Sequence, residues 1–311
     1  MGFTEDLRGV MFWSLDAVKN SRIRKHVKDL EQCMSNPDDG RKIAEKRLQD
    51  FIEFACKTTE FYKQFSGKPF KNLPVIQKQT IKENYNSFLS DHFNKNELAT
   101  TTTSGSYGMP FTFYLSDDKR ARQQAEVIYF GRWAGYKVGM KIAQVRAQNR
   151  NKVTLFMQNC YMMNPCLIDN LWLEKKRSIL INKKVKFLIG YPSAIMSLVD
   201  FCRKKGDKPK DFSLIGMVTG GEPLSDKARQ SFKDLFNCKI LDRYSSNENG
   251  TFSHELYEDE RAHYINFSSH KVELLKTDSD DPVTEPGEIG RVVATDLHSH
   301  AMPMLRYDTG D

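Results

Sequence analysis

The chain has 311 residues, with 47 Lys and Arg, 40 Asp and Glu, and a formal net charge of +7. Hydrophobic residues make up 39% and charged residues 28%, and no segment approaches the roughly 20 apolar residues that a membrane-spanning helix needs. The positive charge favours an anionic ligand, but the basic clusters are short and lack interleaved aromatic residues, so we expect no nucleic-acid partner.

The six cysteines form no CxxC pair and show no metal-ligand spacing, which indicates free thiols in a reducing compartment. Polar and charged residues near the start, among them Glu5, Asp6 and Arg8, interrupt any apolar signal-peptide segment. We therefore expect a cytoplasmic protein.

The predicted elements change along the chain. Residues 1–100 are rich in helix formers and predict a helical periphery, and residues 101–260 predict an α/β core. Short β-type runs at 185–189, 214–218 and 239–242 alternate with helical spacing, with Ser225 as the expected cap of one helix. This alternation predicts right-handed βαβ units, which means parallel sheets with helices on their faces.

Past residue 260 the pattern becomes β-rich, with runs at 271–275 and 291–295 joined by turn residues, which predicts an antiparallel or barrel-like region. The α/β fold class and a single large domain over residues 1–311 are the expectation. His298 and His300 alternate in this region, and we interpret them as a solvated loop pair rather than as a metal site.

The segment 101–110 is dense in hydroxyl side chains and contains two glycines. Glycine lets backbone N–H groups turn toward an anion, and the hydroxyls add donors, so the segment is suited to holding a polyphosphate. A plain polar surface turn is the competing interpretation. The segment contains no lysine and the chain no GxxxxGK[ST], which excludes a P-loop NTPase. The phosphate-binding candidates are Thr103, Ser104, Gly105, Ser106 and Gly108.

This loop resembles the phosphate loop of the adenylate-forming superfamily, which includes acyl-CoA synthetases, luciferases and nonribosomal adenylation domains. Three further segments are similar to motifs of that family, in the same order along the chain: Gly220-Gly221-Glu222-Pro223-Leu224, Tyr244-Ser245-Ser246-Asn247-Glu248 and Tyr307-Asp308-Thr309-Gly310-Asp311. The segments 285–290 and 301–306 are most similar to the phenylacetate-CoA ligase and CapK-like branch.

The resemblance implies ATP-dependent activation of a carboxylic acid to an acyl adenylate, with release of pyrophosphate and later transfer to coenzyme A or a carrier thiol. Thr103 and Ser104 would bind phosphate and act in catalysis with Glu248, which would ligate Mg²⁺. Gly220, Gly221 and Glu222 would border adenine, with Tyr244 and Ser245 beside it. Asp311 would accept hydrogen bonds from the ribose hydroxyls.

The predicted topology supports a shared position for two of these motifs, independently of the resemblance. Both Gly220-Gly221-Glu222 and Tyr244–Glu248 follow predicted parallel strands, and ligands of open α/β sheets bind at the carboxyl ends of the strands.

Several positions depart from the family pattern. Tyr107 replaces a small hydroxyl residue, Ser245 a glycine, Asn247 a threonine and Asp308 an arginine. The sequence stops at Asp311, so the small mobile domain that carries the family's catalytic lysine is expected to be absent from this chain. A non-catalytic nucleotide-binding or scaffolding domain of the same fold is the alternative, and a nucleic-acid protein is a third.

Overall fold

The computed structural model describes residues 2–103, 111–147 and 151–311, with the backbone alone for Thr103 and Phe111. Its helices are α1 Phe3–Val18, α2 Arg22–Ser35, α3 Pro37–Thr58, α4 Glu60–Lys63, α5 Lys78–Glu83, α6 Asp117–Gly131, α7 Lys152–Met157, α8 Asn170–Asn182, α9 Pro192–Lys204 and α10 Asp226–Phe236. Its strands are β1 Ala99–Thr103, β2 Phe111–Leu115, β3 Ile142–Val145, β4 Cys160–Met163, β5 Phe187–Gly190, β6 Gly216–Gly220, β7 Lys239–Ser246, β8 Gly250–Glu255, β9 His263–Ile265, β10 His270–Leu275, β11 Arg291–Asp296 and β12 Tyr307–Asp308.

Three sheets form from these strands. The large sheet has the order β4-β3-β5-β6-β7-β8-β9, and the pairs from β4 through β7 are parallel. Strands β10, β11 and β12 form an antiparallel sheet, and β1 pairs with β2 as an antiparallel two-stranded ribbon. The predicted α/β class, with a parallel-dominated sheet and an antiparallel region near the C-terminus, is confirmed.

Local sequence signals account for where two helices begin. Asn36 caps α3 by accepting a hydrogen bond from the Asp39 backbone N–H, and Pro37 occupies the first helical position, where its missing N–H costs nothing. Ser225 caps α10 through a bond from the Ala228 N–H, as the sequence predicts. Among the described residues, no helix combines the length and the apolar character required to cross a membrane.

The chain divides into two compact units. The first comprises Met1–Lys25, Ala125–Ser245 and Ser253–Tyr264, and the second comprises His26–Gln124, Ser246–Phe252 and Ile265–Asp311. In the first unit, one hydrophobic cluster packs α8, α9 and α10 against one face of the large sheet, around Leu188, Leu198 and Phe232. A second cluster, which includes Ile189, Val218 and Leu241, lies on the opposite face.

The second unit has its own hydrophobic core and a buried polar network. The core joins α3 and α4 to the segment 297–307, with Phe51, Tyr62 and Met302 fully buried. In the network, the fully buried Arg122 of α6 donates to the Ser268 and Ser269 hydroxyls and forms an ion pair of 2.5 Å with Asp29. Bonding of this kind is what a buried guanidinium requires.

Three expectations are corrected by the structure. Strand β7 runs to Ser246, so Tyr244 and Ser245 lie inside the strand instead of following it. The reason is that β8 lies beside β7 in the sheet, and a strand partner lets polar residues continue a strand. Strands β5 and β6 each begin two residues later than predicted. His298 is only 8% exposed, so the solvated pair with His300 is wrong.

Candidate functional site

The carboxyl ends of four neighbouring parallel strands, β3, β5, β6 and β7, lie in register, and we call this line the carboxyl edge of the sheet. Val145 pairs with Gly190, Gly190 with Thr219, and Thr219 with Asp242. The residues that come next along these strands therefore share one edge, which is where open α/β sheets bind ligands.

Gly220 and Gly221 stand at this edge at the end of β6. Gly220 pairs with Arg243 of β7, and a Cβ on Gly220 would come 2.9 Å from the Arg243 carbonyl oxygen. Gly221 has a φ of +82°, a left-handed conformation, and a Cβ there would lie 2.8 Å from the Tyr191 ring. Both positions therefore require glycine, the first for close approach and the second also for its backbone angle.

Glu222 is exposed, yet its carboxylate is bound by the protein. It accepts hydrogen bonds from the Ser193 backbone N–H at 3.0 Å and from the Ser193 hydroxyl at 2.9 Å. Ser193 lies in the first turn of α9, where backbone N–H groups have no helical acceptor and attract negative charge. The bond fixes the turn after β6 to the start of α9, so Glu222 holds the shape of the predicted adenine turn.

Tyr244 and Ser245 occupy the last part of β7, and both side chains are partly buried. They follow Arg243, the partner of Gly220, so the structure places both predicted adenine-side segments, the turn at Gly220 and the end of β7, at the carboxyl edge. This matches the shared position that the topology predicted.

A polar cluster in the first unit was missed by the sequence reasoning. Arg243 is 6% exposed, and its Nε has no hydrogen-bond acceptor in the part of the chain that the structure describes. Burial and the nearby positive charge of Arg146 together lower its pKa to about 9, against the opposing effect of Asp242, Glu126 and Tyr191. An arginine inside the run Lys239–Ser246 was the available signal.

In the second unit, Glu248 lies in the turn between β7 and β8. Side chains from other parts of the unit hold this turn by bonding to its backbone carbonyl oxygens. The Gln123 amide donates to the carbonyl oxygens of Asn247 at 3.0 Å and Glu248 at 3.2 Å. The Lys119 ammonium donates to the Asn249 carbonyl at 2.6 Å, and His270 contacts the same oxygen at 3.0 Å. These partners are more than 20 positions away in sequence, so no local pattern could reveal them.

Glu248 is 6% exposed, and its surroundings disfavour the ionised form of its carboxyl group. Burial raises the pKa of this carboxyl above its usual range, and the negative charge of Asp311 adds to the rise. Hydrogen bonds from its own backbone N–H and from Ser246, together with the charge of Lys78, act in the opposite direction. Glu248 and Asp311 are therefore near enough to influence each other.

The segment that carries Asp311 is fixed by its backbone. The Val292 N–H donates to the Asp311 carbonyl at 3.1 Å, and the Thr309 hydroxyl donates to the Val292 carbonyl at 3.0 Å. Asp308, which stands where the family pattern has arginine, forms an ion pair of 2.5 Å with Arg291. Arg291 of β11 thus lies beside position 308, where the family motif has an arginine and this chain has an aspartate.

The predicted phosphate loop joins β1 to β2. Thr103 ends β1 and is paired with Phe111, which begins β2. The predicted phosphate-binding residues Ser104, Gly105, Ser106 and Gly108 lie outside the described residues, and so does the side chain of Thr103.

Comparisons with known proteins point to the same family as the motifs do. CapK from Staphylococcus aureus is 26% identical over 314 residues, which cover 93% of this chain and 66% of that protein. A phenylacetate-coenzyme A ligase from Thermus thermophilus is 23% identical over 290 residues, covering 87% of this chain and 64% of the relative. No family model matches the sequence.

By these relatives the chain is similar to the adenylate-forming superfamily, in its phenylacetate-CoA ligase-like branch. Its fold is shared with a 2-hydroxyisobutyryl-CoA ligase solved with 2-HIB-AMP and CoA, at a TM-score of 0.75 and 16% identity, over 89% of this chain and 64% of that one. The chain spans about two thirds of the length of the curated relatives it matches.

The resemblance implies a metal ion that accompanies ATP, and the carboxylates here fit that expectation. Magnesium is held in proteins by one or two carboxylates, with substrate phosphates and water in the remaining positions. A buried carboxylate whose pKa is raised by desolvation and by a second carboxylate is a group that a hard cation stabilises. Within residues 2–103, 111–147 and 151–311, no cluster of three or more His, Cys, Asp or Glu side chains forms a dedicated metal cage.

Proposed function

We propose that this protein activates a carboxylic acid with ATP, forming an acyl adenylate and pyrophosphate, and then transfers the acyl group to coenzyme A or a carrier thiol. The observation that carries the proposal is Glu248, a buried carboxylate on a turn held by three distant side chains and electrostatically coupled to Asp311. A protein buries a charged group this deeply only where something compensates it.

The proposed roles follow from what the reaction needs. The acid oxygen must attack the α-phosphorus while pyrophosphate leaves, so the nucleotide has to be held still in a fixed orientation. The Gly220-Gly221 turn, which packs against Arg243 and Tyr191, would border the edge of a base, and Tyr244 offers a ring for packing against it. Asp311 would accept hydrogen bonds from ribose hydroxyls.

The remaining roles concern charge. A magnesium ion bound with ATP would neutralise phosphate charge as the leaving group forms, and Glu248 would be its protein ligand. Thr103 and Ser104, with the glycines that follow, keep their predicted role as donors to the phosphates. The relatives named as CoA ligases support coenzyme A as the acceptor.

Acid-dependent exchange of labelled pyrophosphate into ATP tests the proposal, with a panel of aryl, fatty, hydroxy and dicarboxylic acids and with the family's small lysine-bearing domain present beside this chain. We expect exchange with at least one class of acid and a loss of about 10²–10³ in rate for Glu248→Gln, the magnitude typical of removing one preorganised electrostatic group. Glu285→Gln, at an exposed turn, is the matched control and should keep the parent rate.

The alternative is a nucleotide-binding domain without catalysis. Its motivation is the altered motif, in which Asp308 replaces arginine and pairs with Arg291. ATP binding measured by calorimetry, combined with no exchange for any acid even when the small lysine-bearing domain is present, would establish that alternative and end the ligase proposal.

A further inference from the structure

Helix α1 buries polar side chains and exposes apolar ones, which is the reverse of an ordinary surface helix. Glu5 and Asp16 are both buried. The Glu5 carboxylate accepts a hydrogen bond from the Lys186 ammonium at 2.6 Å, and the Asp16 carboxylate accepts two backbone N–H groups from the first turn of α2 at 3.0 Å. These bonds fix the rotation of α1 about its axis and leave its apolar side facing outward.

The contacts of α1 also show where it lies on the sheet. A Cβ on Gly9 would come 2.9 Å from the Val138 carbonyl oxygen, and Val138 lies four residues before β3. Lys186, the partner of Glu5, directly precedes β5. Helix α1 therefore packs at the amino ends of β3 and β5, away from the carboxyl edge that holds the adenine-side segments.

The outward side of α1 carries six large apolar residues, and we call them the α1 stripe: Phe3, Leu7, Val10, Met11, Leu15 and Val18. Their spacing follows the helical period, so they share one face. The stripe runs the full length of the helix, and its two end residues, Phe3 and Val18, are each 83% exposed.

Helix α7 extends this apolar surface. The Arg8 guanidinium lies 4.5 Å from the centroid of the Phe156 ring and donates to the Phe156 carbonyl, and Val153, Phe156 and Met157 of α7 are exposed as well. Together with the α1 stripe they present on the order of 1,000 Å², whereas the largest apolar patch of a typical monomer is about 300–600 Å². A stable protein interface covers about 800 Å² on each partner, so this surface is large enough for one.

Two charges flank the α1 stripe on one side. A groove of about 840 Å³ runs beside α1 there, and Asp6, Trp13 and Arg24 are among its lining residues. The Arg24 guanidinium stacks over the Trp13 ring, 5.1 Å from its centroid, about two turns further along α1 than Asp6. Asp6 and Arg24 are exposed, and neither forms an ion pair with another residue in the described part of the chain.

This arrangement is self-complementary for an antiparallel pair of helices. The midpoint of the α1 stripe lies between Val10 and Met11, and a two-fold axis through it sets Phe3 against Val18 of a second copy. The same operation brings Asp6 of each copy toward the Arg24 end of the other copy's groove, so opposite charges meet. A parallel pair would instead set Asp6 against Asp6, which is repulsive.

The charge of α1 argues against a lipid surface as the occupant. Helices that lie on membranes carry Lys and Arg on their polar face, and anionic lipids attract those residues. Arg8 is the one basic residue within Phe3–Val18, against the three acids Glu5, Asp6 and Asp16.

We propose that this surface joins two copies of the chain in a homodimer, with the two α1 helices packed antiparallel around a two-fold axis. The carboxyl edge of each copy stays open, because α1 lies at the opposite ends of the strands. The dimer does not depend on the proposed ligase activity, since none of its contacts involves the candidate site.

Analytical ultracentrifugation across about 0.1–50 µM protein measures the assembly. The parent should sediment as a dimer in the upper part of this range. Leu7→Glu combined with Met11→Glu should raise the dimer dissociation constant at least about hundredfold, because charges would be buried in the interface without partners. The matched control is Leu274→Glu combined with Ile289→Glu, which should leave the constant unchanged; Leu274 and Leu7 are each 50% exposed.

A charge exchange tests the antiparallel pairing. Asp6→Arg and Arg24→Asp should each raise the dissociation constant by about tenfold, since each places like charges opposite one another. The double variant with both substitutions should recover most of the parent affinity, because opposite charges meet again. Two single variants that weaken the dimer without recovery in the double variant would rule out this pairing.

Cysteine cross-linking gives a second readout, in a Cys166→Ser background that removes the exposed thiol. Val10→Cys should form a disulfide with itself across the two-fold axis. Val18→Cys should not, because a rise of about 1.5 Å per residue separates the two copies of this position by about 20 Å, beyond disulfide reach. Equal cross-linking at both positions would indicate parallel helices and overturn the proposal.

A parent protein that stays monomeric over the whole concentration range would also overturn the proposal, and so would a dimer that Leu7→Glu with Met11→Glu leaves intact. If that double variant does not fold, as judged by circular dichroism, the charge exchange and the cross-links decide the question. A monomeric parent that binds vesicles of phosphatidylcholine and phosphatidylserine would assign the α1 stripe to a lipid surface instead.

Discussion

In its proposed role as a magnesium ligand, Glu248 would link burial, metal binding and pH. Its carboxyl is desolvated and lies within the influence of Asp311, and both effects raise its pKa. Magnesium, if Glu248 has its proposed role, would bind the ionised form, so metal binding would have to offset the cost of ionising a buried acid.

We predict that, without metal, the Glu248→Gln variant binds ATP nearly as tightly as the parent. The increase in ATP affinity on addition of Mg²⁺ should be on the order of tenfold smaller in the variant, because an amide oxygen is a poorer ligand for a hard cation. In the parent, the increase in ATP affinity that Mg²⁺ gives should become smaller as the pH decreases. This decrease should begin above pH 4.5, the usual pKa of a glutamate, because the pKa of Glu248 is raised. Titrations of ATP with and without Mg²⁺ across this pH range measure both. An equal metal gain in parent and variant would remove Glu248 as a ligand.

Two buried histidines make stability depend on pH in a different way. Burial lowers the pKa of His254 to about 3, and it also lowers that of His298 well below its usual value, with Arg122, Arg47, Lys119 and His26 adding to the effect at His298. Both rings are therefore neutral in the folded state at neutral pH.

The unfolded chain binds protons at these histidines below about pH 6.5, whereas the folded chain does not. These two histidines should therefore leave the free energy of unfolding unchanged above pH 6.5. Below pH 6.5 the free energy of unfolding should decrease, by at most about 1.4 kcal/mol per pH unit for each histidine. His298→Gln should flatten this dependence between about pH 6.5 and 5, and His92→Gln, at an exposed site, is the control. Denaturant unfolding at several pH values gives the slopes; identical slopes for parent and His298→Gln would contradict the prediction.

At the scale of elements, the turn after β6 is held from two sides. Tyr191, which follows β5, packs against Gly221, and Ser193 in the first turn of α9 binds Glu222. The connection after β5 therefore supports the connection after β6, and each of them borders the carboxyl edge.

We predict that Gly221→Ala destabilises the fold by roughly 2–4 kcal/mol, the sum of left-handed backbone strain and a displaced Tyr191 ring. Gly206→Ala is a matched control, because Gly206 has nearly the same φ of +81° but nothing within 4 Å of its Cβ position, so that variant shows the backbone strain alone. Urea unfolding measures both variants. Equal destabilisation by the two substitutions would show that Tyr191 contributes nothing to the need for glycine.

The sequence predicts the elements whose signals are local. Hydrophobic spacing and the Ser225 cap identify α10, and β-type runs locate β5, β6, β10 and β11 within two residues. The end of β7 was missed because Tyr244 and Ser245 are strand residues only by virtue of the neighbouring β8.

The candidate site divides in the same way. Glycine-rich turns and the acids at 248 and 311 are visible as motifs, and their roles stay predictions. The Arg243 cluster, the Ser193 bond to Glu222 and the side chains that hold the 247–249 turn depend on residues far apart in sequence. Burial is also a tertiary property, which is why His298 was interpreted as solvated.

At the scale of the whole molecule, the net charge of +7 sets a long-range attraction for anions. Each of the proposed ligands, ATP, pyrophosphate, coenzyme A and a carboxylic acid, is an anion. Such attraction acts mainly on the rate of encounter and is screened by salt.

We predict that the association rate of ATP falls by roughly two- to fivefold between about 50 mM and about 300 mM KCl. Adenosine carries the same base and ribose without charge, and its association rate should be insensitive to salt. Stopped-flow binding measures both ligands. Parallel salt dependence for ATP and adenosine would mean that the excess positive charge plays no part in nucleotide capture.

The turn that carries Glu248 keeps its shape through carbonyl oxygens bound by Gln123, Lys119 and His270, and carbonyl oxygens are present whatever the side chains of the turn are. The backbone shape of this turn therefore does not depend on which side chain stands at position 248. A single nucleotide change that converts Glu248 to lysine or glutamine would remove the acid and leave the backbone of the turn intact. Under the proposed role of Glu248, one substitution would therefore remove catalysis and leave nucleotide binding, and the reverse substitution would restore it.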